Sequence, residues 1–392
     1  MNKFFLDLGK QPLANNFLLK YNFKQPSYRL KLYFDDITNL VSISKRIPSK
    51  VMFDNKYPYK SSMSNTMRTS FKKLSEIKKR FKPNLLLEIG SNDGALLKNF
   101  DKKKAIGIEP CENLAKITKN RGYTTYSRYW NNETANYLKK KYNKLDLIYS
   151  ANTLTHISDL KDVFNSIIKV LSKDGILIIE DPSLLECLKK TSYDQFYNEH
   201  IYVFSTIALK NLLKKINLEI FDIKNLKNNS ESLRYYKKKK DNRKFKISSK
   251  VKKQLQNEIR YGLNKFQTYK KFATRVKKSK KELLNILNNL KKKNKKIIGY
   301  GATAKAVTVL NYCNIDNSLI NNFTDITPEK VNKFLPGRNI KILKYDKKIL
   351  NKYDYAFLGA WNFKSEILNK EKRFVKRGFK FITHVPYPKI FN

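Results

Sequence analysis

Short apolar runs separated by turn-forming residues set the pattern of the chain. From Leu85 to Ile89 the residues are almost all apolar; a turn-rich segment and a helix-like stretch from Ala95 to Phe100 follow. Further strand candidates are Ala105 to Ile108, Leu145 to Tyr149 and Gly175 to Ile179, with helical patterns between them. Strands alternating with helices predict a parallel sheet with helices on both faces. Before this region, residues 1–60 read as a small irregular module with strand-like pieces such as Tyr28 to Phe34. After Tyr236 the four lysines Lys237 to Lys240 read as a solvated linker. Val251, Leu255, Ile259, Leu263 and Phe266 then recur at helical spacing, and the pattern runs on to Leu290. Beyond the lysine-rich residues 291–296 the βα rhythm restarts with Ile297 to Tyr300, a glycine turn, and a helix from Ala302 to Tyr312. Asn321 to Thr324, Tyr355 to Leu358 and Lys380 to Thr383 supply further strands. The expectation is an α/β protein in three parts: a module over 1–60, an α/β domain over 61–236, and a second, smaller α/β domain over 237–392 led by a long helix.

Composition changes this picture little. The 392 residues are 41% hydrophobic, enough for buried cores. The net charge of +49, from 82 Lys and Arg against 33 Asp and Glu, suggests a polyanionic partner on its face. The lysines are spread along the whole chain, however, and come with much Asn, Ile, Tyr and Phe, as codon bias in an A/T-rich genome produces. No nucleic-acid module accompanies them, so no specific nucleic-acid partner is expected, although the charge can help to attract anionic substrates. Cys111, Cys187 and Cys313 stand too far apart for a zinc or disulfide framework, and a reducing cytoplasm fits. No apolar run has the length of a signal peptide core or a membrane span, so no membrane insertion is expected.

The chemistry concentrates at Leu87-Glu88-Ile89-Gly90-Ser91-Asn92-Asp93-Gly94, where a strand should end and a helix begin. Glycines there let the backbone turn sharply and approach a ligand, and ligands bind at the carboxyl ends of strands in such sheets. Glu109 follows Gly90 by 19 residues at the end of the next strand, where a carboxylate can take both hydroxyls of a ribose. The turn lacks the GxGxxG spacing that packs a pyrophosphate on a helix. Glu88 suits instead the cationic amino-acid end of S-adenosylmethionine. Asn152, Thr153 and Leu154, after the strand Leu145 to Tyr149, should face the same ligand. In the last third, Gly301 and Lys305 occupy a strand–turn–helix suited to a phosphate, and Trp361 and Asn362 are candidates for an interdomain cleft.

The strings LGKQPLANNFL (8–18), YPYKSSMSNTM (57–67), LEIGSNDGALL (87–97), GIEPCENLAK (107–116), QFYNEHIYVFS (195–205), GYGATAKAVTVLNYC (299–313) and LGAWNFKSEI (358–367) carry a resemblance over nearly the whole length. The chain resembles the three-domain sugar C-methyltransferases that act on nucleotide-linked keto-deoxysugars. The resemblance implies a class I S-adenosylmethionine-dependent methyltransferase domain with a Rossmann-like fold, followed by a second Rossmann-like domain that closes over a nucleotide-sugar. It also implies a small N-terminal module like a zinc knuckle held by four cysteines. Here no Cys precedes Cys111, so the module is degenerate and zinc is not expected. Tyr59, Ser61 and Ser62 belong by resemblance to the cofactor pocket.

Methylation of carbon needs a base to remove a proton beside a ketone, and histidine titrates in the right range. The chain has three: His156, His200 and His384. By resemblance Tyr197-Asn198-Glu199-His200 is the catalytic cluster. His200 is then the general base, and Tyr197 and Glu199 polarise the ketone, orient the sugar or tune the histidine. Asn198 stands where the family usually has His, and Asn229-Ser230-Glu231 stands where it shows His-Gly-Gly before the Ser-Leu-Arg that ends in Arg234; both bear on the substrate. Competing readings are O-methylation of the same sugar class, a nucleic-acid methyltransferase, and a scaffold that has lost its activity.

Overall fold

The computed structural model describes residues 1–21, 24–44, 47–226 and 232–392. The N-terminal part is an antiparallel sheet of β1 (Asn2–Pro12), β2 (Ser27–Asp35) and β3 (Val41–Ile43). Its strands alternate: Leu30, Leu32 and Phe34 are buried while the residues between them are partly exposed. Apolar packing holds the sheet, with Phe34 stacked 4.5 Å from Tyr269 and Phe5 5.2 Å from the same ring.

The central part is built on strands buried on both faces. β4 (Leu86–Ile89), β5 (Ala105–Ile108), β6 (Thr124–Tyr126), β7 (Leu145–Ala151) and β8 (Leu171–Pro182) run parallel. Successive residues feed opposite cores: Leu87, Ile89, Ile106 and Ile148 on one side, Leu86, Ala105, Leu147 and Tyr149 on the other. The next strand, β9 (Tyr202–Val203), leaves this sheet and pairs with β3. Then β10 (Glu219–Leu226) and β11 (Ser232–Lys238) add an antiparallel edge, in the order β10-β11-β8-β7-β4-β5-β6. The expected all-parallel sheet is therefore mixed.

The C-terminal part carries β12 (Ile297–Tyr300), β13 (Asn322–Asp325), β14 (Lys341–Lys344), β15 (Tyr355–Leu358), β16 (Lys380–Thr383) and β17 (Lys389–Phe391), in the order β14-β13-β12-β15-β16-β17. All pairs but the last are parallel. Both larger sheets are Rossmann-like, as the α/β rhythm predicted. One apolar cluster runs without interruption through all three parts, from Phe5 and Leu32 through Ile89 and Phe272 to Phe323 and Ile382. No helix among the described residues is long and apolar enough to cross a membrane.

Three local expectations are corrected. Ala95 to Phe100 is not a helix but a series of turns with one 3-10 turn at Leu97–Asn99. Ala95, Leu96, Leu97 and Phe100 are all buried, and the Asn99 amide donates to the carbonyls of Ala95 and Leu96 at 3.1 and 3.0 Å, which holds the turns. The long helix is two, Ser249–Tyr261 and Phe266–Lys292, broken where Gly262 takes a left-handed φ of 88°. Ile259, assigned to the apolar face, is 51% exposed. The lysine run is no simple linker, because Lys237 and Lys238 lie in β11 and the division placed at 236 falls inside that strand. Lys237 is fully buried with no hydrogen bond to its Nζ, which lies 5.1 Å from the Tyr235 ring centroid; burial pushes its pKa down to about 7.

Arg234, expected to meet substrate, instead lies inside the sheet. Its Nε and an Nη donate to Glu180 Oε2 at 3.0 and 2.9 Å, and Tyr149 donates to the same oxygen at 3.1 Å. Both charges are almost wholly buried. Arg234→Met would leave Glu180 uncompensated, so it should lower the free energy of unfolding by about 3–5 kcal/mol in a denaturant titration. A loss below 1 kcal/mol, roughly the most that an exposed pair contributes, would show the pair to be dispensable.

Candidate active site

A cleft of ≈ 750 Å³ opens where the three parts meet, above the carboxyl ends of β4, β5 and β7 and facing the first turn of the C-terminal part. Its floor is the loop after β4. Gly90 takes φ 74°, and a Cβ there would lie 2.1 Å from Thr153 Oγ1, so only glycine lets the loop pass. The Gly90 and Ser91 amides donate to the Ile108 carbonyl at 2.8 and 3.0 Å, which ties the loop to β5. Glu109, at the end of β5, accepts from the Asn92 amide at 2.7 Å and the Cys111 amide at 2.9 Å. The Asn92 side chain accepts from the Ser61 amide at 2.8 Å and donates to the Tyr59 carbonyl at 3.1 Å, and Ser62 Oγ donates to Asp93. The 59–62 segment is thus laced over the loop; Tyr59 and Ser61 border the cleft, while Ser62 acts from behind it.

Glu88 is 3% exposed, and its Oε2 has no hydrogen-bond partner. Burial, with Glu109 and Asp93 close by, holds its carboxyl well above the usual range; burial likewise raises Glu109. An orphaned acid beside a second one is a site for a cation that can also be held through hydroxyls. The residues therefore fit S-adenosylmethionine: Glu88 for its charged end and Glu109 for its ribose. Asn152, with φ 49°, and Thr153 border the same wall. Leu154 and Gly94 do not reach the cleft. Leu154 is fully buried in the core, and Gly94 sits behind the loop, where a Cβ would press on Thr118 at 2.9 Å.

The opposite wall carries the candidate base. His200 is buried, with Nδ1 2.7 Å from the Gln195 carbonyl and Nε2 2.6 Å from the Tyr197 hydroxyl. A carbonyl only accepts, so Nδ1 carries the proton and Nε2 presents its lone pair to Tyr197. Burial, and then the neighbouring His156, hold the pKa of His200 well below its ordinary value, so the ring is neutral near pH 7. Both Tyr197 and His200 line the cleft. Glu199 does not: it points away, accepting from Tyr57 at 2.8 Å and Asn15 at 2.7 Å, and burial raises its pKa to about 7. Asn198 also turns aside, donating to the Gln11 and Pro12 carbonyls at 3.3 and 3.1 Å, so it holds the N-terminal part rather than a substrate.

From the C-terminal part, Gly301, Lys305 and Asn362 line the cleft. Gly301 takes φ 85° just before the helix Ala304–Cys313. Trp361 turns inward, its Nε1 donating to Asp194 at 2.5 Å. Residues 229–231 lie outside the described residues.

Several lining residues escaped the sequence reading. His156 stacks 5.1 Å from His200 and 5.4 Å from Phe53, and burial pushes its pKa down to about 4. Its place four residues after Asn152 was the available signal. Tyr57 lies in the same string as Tyr59. Trp130 and Lys330 gave no signal; the ammonium of Lys330 reaches the Ala302 carbonyl at 2.8 Å from a loop far along the chain.

A family model described as a methyltransferase domain matches residues 59–223, and one described as the C-methyltransferase C-terminal domain matches residues 229–386. The C-methyltransferase NovU of Streptomyces niveus is 27% identical over 310 residues, 79% of this chain and 74% of that protein. Solved structures similar to part of the chain include a SAM-dependent methyltransferase from Anabaena variabilis (17% identity, 45% of this chain and 86% of that one, TM-score 0.35). Another is an S-adenosylmethionine-dependent methyltransferase from Clostridium acetobutylicum (14% identity, 45% and 93%, TM-score 0.33).

The raised carboxyl of Glu88 gives a signed prediction. A bound cation stabilises the ionised acid and lowers its pKa, so binding of S-adenosylmethionine should expel a proton at any pH where the empty site holds Glu88 protonated and the filled site does not, a window that lies above the ordinary glutamate range. Calorimetry in two buffers of different ionisation enthalpy should give different binding enthalpies, and Glu88→Gln should remove most of the difference. Equal enthalpies in wild type would place the cation elsewhere.

Proposed function

We propose that this chain, an S-adenosylmethionine-dependent methyltransferase, carries out the C-methyltransferase chemistry of its relatives and methylates a carbon beside a ketone in a nucleotide-linked sugar. The observation that supports this best is the Tyr197–His200 pair: a neutral histidine whose Nε2 lone pair is aimed through a phenol into the cofactor cleft. When bound, S-adenosylmethionine supplies an electrophilic methyl group. What the chain must add is a carbon nucleophile, made by taking a proton from the carbon next to the ketone.

The proton passes to the Tyr197 oxygen as the Tyr197 proton moves to His200 Nε2, leaving an enolate on the sugar, a neutral phenol and an imidazolium. The Gln195 carbonyl holds the Nδ1–H throughout and favours the cation. The nucleotide end of the substrate lies against the C-terminal part, where the turn at Gly301 opens the helix Ala304–Cys313 and Lys305 and Lys330 border the cleft. Helix N-termini and ammonium groups both favour phosphate.

His200→Ala should leave S-adenosylmethionine affinity intact and lower turnover by about 10²–10⁴-fold, the scale of a lost general base. In heavy water with the product S-adenosylhomocysteine bound, wild type should exchange the proton beside the ketone, and His200→Ala and Tyr197→Phe should not. Methylation by wild type with that proton fully retained would move the reaction to a hydroxyl and end the carbon reading.

A further inference from the structure

The 3-10 turn Tyr193–Gln195 belongs to the central part by sequence, but Tyr193 and Asp194 are buried against the C-terminal part. The Tyr193 ring meets Tyr312 edge-on at 5.4 Å and His384 at 5.6 Å, and its hydroxyl lies 3.6 Å from Cys313 Sγ. Asp194 is wholly buried; its Oδ2 accepts from Trp361 Nε1 at 2.5 Å and lies 3.2 Å from His384 Nε2. His384 is itself fixed by stacking on Phe357 at 5.9 Å. The next residue in the turn, Gln195, offers the carbonyl that holds His200 Nδ1. The base thus takes its orientation from a turn whose only buried charge is tied to another part of the molecule.

We propose that Asp194, Trp361 and His384 form a positioning cluster through which the C-terminal part sets the tautomer and aim of His200. None of the three has been placed at the reacting atoms. Their effect runs through two peptide units: pinning the Asp194 carboxylate fixes the Tyr193–Gln195 turn, which fixes the Gln195 carbonyl, which keeps the proton on Nδ1 and the lone pair on Nε2. A carbonyl displaced by an ångström would let the ring rotate or exchange tautomers, and Tyr197 would lose its acceptor. Lys305 connects the cluster to the cleft, since it lines the cleft and its Nζ lies 5.2 Å from the Trp361 ring centroid. An anionic substrate group at Lys305 therefore sits within reach of the cluster that orients the base. The role assigned to His200 is the one proposed above.

Trp361→Phe keeps an aromatic ring but removes the indole N–H together with the five-membered ring that carries it; Asp194→Asn keeps the shape and removes the charge. The chain has three histidines, so nitrogen-detected NMR of the imidazoles can follow His200, assigned by its disappearance in His200→Ala, with S-adenosylhomocysteine bound. In wild type, His200 should show a single Nδ1–H tautomer. In each variant it should become a mixture, with turnover lower by about 10- to 100-fold, S-adenosylhomocysteine affinity unchanged and KM little altered. An unchanged His200 spectrum and turnover within twofold, with only the melting temperature lowered, would reduce the cluster to domain adhesion and overturn the proposal. Should Asp194→Asn fail to fold, Trp361→Phe decides alone. If wild type exchanges no substrate proton yet the variants still shift the His200 tautomer, the positioning stands and the assignment of the base fails.

Discussion

Glu88 ends a strand that is buried on both faces, next to a second buried acid, and one of its oxygens has no partner. A carboxylate left so is costly, and a folded protein keeps one only where a ligand or a proton offsets it. Much of the surrounding structure follows from that constraint. Gly90 has to be glycine so that the loop can pass under Thr153. The 59–62 segment is laced over the loop by Asn92 and Asp93, so the negative floor is roofed rather than open.

Much of this was legible in the sequence where local rules decide. Short, largely apolar runs marked the central strands β4, β5, β7 and β8, and β15 and β16 fall where their runs stand. Glu88, Gly90 and Glu109 could be placed because a strand end followed by a glycine turn has one geometry in a parallel sheet. The readings that failed depend on partners far along the chain. Arg234 reads as a substrate contact by resemblance and Lys237 as part of a solvated linker; both are buried because β11 inserts between β8 and β10 and presents them to Glu180 and to the Tyr235 ring. Asn198 and Glu199 sit beside the base in sequence, yet point to the N-terminal part. A turn of the chain, not its order, decides which neighbours of His200 face the cleft.

The charge reads differently once folded. A few ammonium groups are withdrawn from water, Lys237 and Lys330 among them, and each finds an aromatic face or a carbonyl. Many of the remaining lysines lie on exposed helical positions, as along Phe266–Lys292. This distribution matches a compositional origin for most of the excess, with Lys50, Lys60, Lys305, Lys330 and Lys370 bordering the cleft.

The pairing of β9 with β3 has a consequence for the birth of the chain. The N-terminal sheet is finished by Tyr202 and Val203, which leave the ribosome roughly 160 residues after Ile43. At about 5–20 residues per second the first three strands wait on the order of ten to thirty seconds for their last neighbour. They wait longer still for Phe334, which pairs with Leu18. A module held by a metal could close at once; this one stays provisional until the other parts arrive. Its edge strands are then a transient liability during synthesis, and helpers that shield nascent strands become part of how the enzyme reaches its native state.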